Sequence, residues 1–144
     1  MDNYTIFTDG AFSSSRQQGG SSFIILKDSE KISEWFKGWK GGTNNTAEIL
    51  AILMAVKSIV GKNLGKITIY TDSQYCIGCA SLGWKRKKNI KLWEIFDKYY
   101  NDLLSRCESI EFIHVDGHKK DDSFLTKWNN YVDRLAVLAS HEPL

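Results

Sequence analysis

The sequence predicts one mixed α/β domain, and three observations lead there. Short β-branched and aromatic runs alternate with apolar stretches of helical spacing, in the order β-β-β-α-β-α-α-β-α. The 144 residues fit one compact domain, residues 1–144, and leave no room for a second full one. With 42% hydrophobic and 25% charged residues, the chain can bury a core, which excludes a disordered tail.

Each element has its own signal. Tyr4–Asp9 is a β-branched and aromatic run stopped by Gly10, hence a strand, and Ala11–Gly20 is Ser- and Gly-rich, hence a loop. Ser21–Lys27 and Lys31–Trp39 flank the polar turn Asp28–Glu30 and predict an antiparallel meander with the first strand. Thr43 to Thr46 offer N-capping side chains before a helix over Ala47–Val60, with Gly61 as its C-cap. Lys66–Asp72 is a fourth strand and Ser73–Ser81 a short helix. Leu92, Phe96, Tyr99 and Leu103 set helical spacing for a longer helix ending at Arg106. Ile110–Val115 is a fifth strand. A polar loop, Gly117–Thr126, leads to a last helix over Lys127–Ser140.

Charge and cysteine usage narrow the function class. Lys+Arg 19 against Asp+Glu 17 gives a formal +2, too near neutrality to imply a polyanionic partner from the total alone. The longest apolar run, Ile49–Val56, is too short to span a membrane, and no secretory signal opens the chain. Three cysteines, Cys76, Cys79 and Cys107, make no disulfide framework, so a reducing, cytoplasmic setting is expected.

The chemistry concentrates in carboxylates. Ile6–Gly10 and Ile69–Ser73 repeat one pattern, an apolar strand ending in Thr-Asp before a small residue. If the two strands are parallel neighbours, Asp9 and Asp72 emerge together at the carboxyl edge of the sheet, where open α/β sheets place ligand sites; taken singly, each ending reads equally as a turn signal. Glu48 lies in a helix that is apolar nearly all round, so it either complements the helix dipole or meets a cation. Asp133 sits among Trp128, Val132, Leu135 and Ala136 of the last helix, a position that by itself reads as a solvated acid.

Six stretches carry a resemblance. FTDGA at Phe7–Ala11, TNNTAEI at Thr43–Ile49, YTDSQY at Tyr70–Tyr75, NIKLW at Asn89–Trp93, VDGH at Val115–His118 and NYVDRLA at Asn130–Ala136 together resemble type 1 ribonuclease H. The resemblance implies a ribonuclease H-like α/β fold: a five-stranded mixed sheet, three antiparallel N-terminal strands followed by parallel ones, flanked by helices. It implies hydrolysis of the RNA strand of an RNA–DNA hybrid, leaving 5′-phosphate and 3′-hydroxyl ends. Asp9, Glu48, Asp72 and Asp133 match the metal-binding catalytic carboxylates, and His118 the loop histidine that assists proton handling or product release. Four convergent carboxylates repel one another and call for hard cations, so Mg²⁺, two ions per site, is expected, with Mn²⁺ as a substitute.

For the hybrid, the resemblance assigns Thr43, Asn44, Asn45 and Gln74 to the minor groove and backbone, where amides meet 2′-hydroxyls. Helix capping explains the first three equally well. Trp84-Lys85-Arg86-Lys87-Lys88-Asn89 holds four of the five cations that fall between Trp84 and Lys91, a stretch suited to phosphates, with Trp84 on a sugar. The segment between Asp72 and Trp93 is too short for the family's additional basic helix, and no hybrid-binding domain precedes the core. Weak, salt-sensitive binding by a monomer is therefore expected. A non-catalytic hybrid-binding module on the same fold is the alternative, and a transposase-like nuclease a more distant one. Cys76-Ile77-Gly78-Cys79 as a redox pair, or a zinc site adding Cys107 and His114, has the wrong flanks and spacing.

Overall fold

A computed structural model describes residues 1–117 and 119–144. The elements are β1 (Tyr4–Ser13), β2 (Gln18–Lys27), β3 (Glu30–Lys40), α1 (Asn44–Ser58), β4 (Leu64–Thr71), α2 (Gln74–Ser81), α3 (Ile90–Leu104), β5 (Cys107–His114) and α4 (Phe124–His141). Among the described residues the strands form one sheet in the order β3-β2-β1-β4-β5. β1, β2 and β3 are antiparallel neighbours, while β1–β4 and β4–β5 are parallel. The expected ribonuclease H-like topology is the one observed. No helix among the described residues is long and apolar enough to cross a membrane.

Alternation along the strands divides the core between two faces. Ile6, Phe23, Ile25, Ile67 and Ile69 point to one face, where α1 and α3 cover them with Ile49, Ile52, Val56, Trp93, Phe96 and Leu103. Phe7, Ile24 and Leu26 point to the other and meet Trp128 and Val132 of α4. A central strand covered on both faces buries successive residues, which is why β2 is buried along almost its whole length. β3, at one edge, alternates apolar residues with Lys31, Glu34 and Lys37, charges that discourage pairing with another chain.

The structure corrects several boundaries. Ala11–Gly20, expected as a loop, is mostly strand: β1 runs to Ser13 and β2 starts at Gln18, with Ala11 opposite Gly20 and Ser13 opposite Gln18. Its small residues serve close packing. A Cβ on Gly20 would lie 2.1 Å from the Ala136 carbonyl oxygen, so the bare glycine is what lets α4 settle onto the sheet. Ser21 and Ser22 then tie the helices down, donating to the carbonyls of Ala47 (2.7 Å) and Val132 (2.6 Å).

Capping sets the other differences. α1 starts at Asn44 because the Thr43 hydroxyl accepts from the Thr46 N–H, and it ends with Ile59 as C-cap, two residues before the expected Gly61. α4 starts at Phe124, earlier than expected, because Ser123 caps it by accepting from the Thr126 N–H.

Candidate active site

The β1–β4 register pairs Ile6 with Ile69 and Phe7 with Tyr70, so continuing it two places sets Asp9 beside Asp72. Phe7 and Tyr70 stack 4.9 Å apart on the α4 face, and by strand parity Asp9 shares that face. β4 ends at Thr71, which leaves Asp72 at the carboxyl edge of the sheet. The repeated Thr-Asp endings therefore converge, as the sequence predicts.

Glu48 arrives from the opposite layer. It lies beyond the first turn of α1, too far along the helix for a dipole-complementing acid, and is buried, at 7% exposure. Gly10 opens its path: a Cβ there would lie 2.4 Å from the Glu48 backbone nitrogen, so only glycine lets α1 come this close to β1. The Gly10 N–H donates both to Asp9 Oδ1 (2.9 Å) and to Glu48 Oε1 (2.6 Å). Thr71 Oγ1 makes a long, 3.5 Å contact with Glu48 Oε2 and accepts from the Ser73 N–H at 3.1 Å.

Carboxylate oxygens of Asp9, Glu48 and Asp72 all lie within 4.8 Å of one another. Asp133, on α4, lies near enough to Asp9 to help raise its carboxyl. All four predicted acids are thus brought together, two from adjacent strand ends and one from each helical layer. Burial, then the charges of Glu48 and Asp72, push the Asp9 carboxyl well above the usual carboxylate range. Burial also pushes Glu48 up to about 7, aided by Asp72 and opposed by its hydrogen bonds. Buried carboxylates that repel one another are stable as anions only with a compensating cation. Oxygen-only donors in such a cluster suit a hard divalent ion, so the residues fit a metal centre.

Apart from Arg86, the predicted substrate residues line three clefts, with Asn45 three residues before Glu48 and Gln74 two after Asp72. Thr43, Asn44, Asn45, Lys88 and Asn89 line one cleft, and Asn45, Tyr75, Lys85, Lys87, Lys88 and Asn89 line the adjoining one. Gln74 and Trp84 line a third with Ile77, Leu82 and His114. Thr43 also caps α1, the other reading that the sequence offers for it. Arg86 differs from the lysines around it: its guanidinium turns to Asp97 and the Cys79 carbonyl, while Lys85, Lys87 and Lys88 are exposed. His118 lies outside the described residues. Cys76 and Cys79 are buried and Cys107 half-buried, and burial raises the Cys76 and Cys107 thiol pKa, so neither of those two is a poised thiolate. A further cleft, lined by Met1, Leu64, Arg106 and Glu108, sits where β4 and β5 begin and holds none of the predicted residues.

Sequence reasoning overlooked Gly10, Thr71 and Gly117. A Cβ on Gly117 would approach Asp72 Oδ2 to 3.1 Å, so this loop glycine crowds the acid cluster. The signal for the first two was present, since each Asp of the repeat is preceded by Thr and followed by a small residue.

A family model described as RNase H matches residues 1–141. The chain belongs to the ribonuclease H family. Ribonuclease H of Trichodesmium erythraeum is 31% identical over 147 residues, covering 96% of this chain and 88% of the relative. That of Desulforamulus reducens is 30% identical over 152 residues, covering 99% and 91%. Among solved structures, the N-terminal RNase H domain of a Mycobacterium tuberculosis protein superposes with a TM-score of 0.79 at 20% identity, over 97% of this chain and 94% of that one. LC11-RNase H1, solved with an RNA/DNA hybrid, gives 0.71 at 20% identity, over 94% and 95%. At that identity the two structures establish a shared ribonuclease H fold.

Proposed function

We propose that this protein is a ribonuclease H that cuts the RNA strand of RNA–DNA hybrids internally, using two Mg²⁺ ions held by Asp9, Glu48, Asp72 and Asp133. The observation that carries the reading is the trio Asp9, Glu48 and Asp72, whose carboxylate oxygens lie within 4.8 Å of one another, in a chain of this family. A binding module without catalysis would have no use for an intact cluster whose charges oppose burial.

Bound divalent ions supply an activated water and a counter-charge for the phosphate in an in-line displacement. The protein's part is positional. The Gly10 N–H fixes the facing oxygens of Asp9 and Glu48. Lys85, Lys87 and Lys88 hold backbone phosphates, and Thr43, Asn44, Asn45, Gln74 and Asn89 offer polar groups to 2′-hydroxyls and sugars. Trp84, half-exposed, offers a flat apolar face to a sugar. His118 is assigned to proton handling or product release, work suited to a group titrating near neutrality. The reading is of a single catalytic domain, monomeric and cytoplasmic.

The test is a labelled RNA–DNA hybrid with Mg²⁺, beside single-stranded RNA, duplex RNA and duplex DNA. Cleavage confined to the RNA of the hybrid, giving 5′-phosphate and 3′-hydroxyl ends, is expected. Binding without cleavage would favour the module, and DNA strand transfer a transposase-like enzyme.

A further inference from the structure

Arg86 stands in the middle of the basic stretch, yet four of its five N–H donors are spent inside the protein. Nη1 and Nη2 grip Asp97 of α3 in a two-pronged pair, at 2.5 and 2.9 Å. Nε and Nη2 donate to the Cys79 carbonyl at 3.1 and 2.9 Å. That carbonyl belongs to the last turn of α2, where helix geometry leaves oxygens unpaired. The guanidinium also lies over the Trp93 ring, 5.0 Å from its centre.

Two further ties flank this one. The Trp84 N–H donates to the Gly78 carbonyl at 3.1 Å, and the Trp84 indole fills the space a Gly78 side chain would take. Beyond it, Asn89 adopts a left-handed conformation and donates to the Tyr75 hydroxyl, which also accepts from Trp93 Nε1. The segment from Trp84 to Asn89 has no secondary structure of its own. Its shape comes from these anchors on α2 and α3, with Lys85, Lys87 and Lys88 left exposed between them.

We infer that the Arg86–Asp97 pair is a positioning device for hybrid binding: it fastens the basic segment to α2 and α3 so that Lys85, Lys87 and Lys88 face the groove beside Asn45. Arg86 thus serves binding without touching a phosphate, and Asp97 serves it despite carrying the wrong charge. The inference rests on the hybrid-binding reading proposed above.

Charge makes the experiment decisive. Asp97→Asn removes a negative charge beside a polyanion site, which alone would tighten binding. As a positioning change it loosens the lysines and weakens binding instead. The measurement is the Kd of a fluorescent RNA–DNA hybrid by anisotropy in Ca²⁺, over a salt series, with KM and kcat in Mg²⁺ and a melting curve for each variant. For Asp97→Asn we expect Kd and KM to rise about three- to tenfold at low salt, a flatter dependence on salt, and an unchanged kcat. Arg86→Lys keeps the charge but cannot make the two-pronged grip, so it should fail to restore binding.

Unchanged or tighter binding by Asp97→Asn overturns the inference, as does full binding by Arg86→Lys, which would make Arg86 a plain phosphate contact. A wild-type chain that binds the hybrid without cutting it would overturn the proposed hydrolysis, and the anisotropy arm would still decide this inference.

Discussion

Asp9 and Glu48, at 2% and 7% exposure, sit where strands and helices meet, while Lys85, Lys87 and Lys88 stand in solvent on a segment with no regular structure. The two regions carry opposite charge and are built by opposite means. Register and close packing fix the acids: Gly10 admits α1, Gly20 admits α4, and β1 and β4 end side by side. Only a few side-chain anchors hold the bases. Chemistry that needs atoms placed to fractions of an ångström is built on rigid elements at the expense of mutual repulsion. Attraction to a phosphate backbone acts over longer distances and tolerates looser placement. Setting the four acids aside leaves the rest of the chain formally +6, so the near-neutral total hides a basic surface around an acidic pocket.

Removing a ligand should break this contrast most sharply. Asp9→Asn or Asp72→Asn is expected to lower cleavage by roughly three orders of magnitude or more while the chain still folds, measured as single-turnover rate beside a thermal melt. Near-normal turnover in either variant would place the metal elsewhere. Next comes Gly20→Ala, whose new methyl would meet the Ala136 carbonyl and lift α4 from the sheet. A loss on the order of 2–3 kcal/mol in urea unfolding is expected, with reduced activity as Asp133 shifts.

The repulsion itself is measurable through pH. In the chelator-treated chain Glu48 titrates at about 7 when folded and near its ordinary 4.5 when unfolded. Between those values the folded state holds the extra proton, so stability falls as pH rises from 4.5 through 7. Asp9, raised for the same reason, acts in the same direction. A decline on the order of 3 kcal/mol is expected, flattened in Glu48→Gln and offset by Mg²⁺ at pH 8. Stability that climbs with pH in the chelated protein would contradict the cluster's electrostatics.

The smallest effects belong to the lysines. Replacing Lys85, Lys87 and Lys88 singly by Ala should each weaken hybrid binding by less than about tenfold and reduce the salt slope by about 1, leaving kcat intact. A variant whose salt dependence matches that of the wild type would remove that lysine from the interface.

Three of the acids were readable in sequence because their signal is local: Thr8-Asp9 and Thr71-Asp72 each close a strand and Glu48 interrupts an apolar helix, whereas Asp133, one acid on an amphipathic helix, was marked only by the family resemblance. The antiparallel meander of the first three strands followed from alternation and the polar turn between them, while the parallel half of the sheet and its flanking helices came from the family resemblance. What escaped the reading depends on tertiary contact. Gly19 and Gly20 have a loop-like composition, yet they form strand because α1 and α4 need small neighbours there. Arg86 is one cation among several in sequence, and only the carbonyl of Cys79 and the carboxylate of Asp97, seven residues before it and eleven after it, set it apart. Capping by Thr43 and Ser123 moved helix starts by a few residues, since a cap reports itself only when its hydroxyl is seen to accept.

Glu48 reaches the acid cluster from one side of the sheet and Asp133 from the other, over the bare backbone of Gly10 in one case and from a helix seated on Gly20 in the other. The four acids proposed as metal ligands therefore come together only after both helical layers have docked. On that proposal a chain whose α4 is undocked lacks one ligand, so metal affinity becomes a gauge of assembly, and a half-built nuclease a silent one.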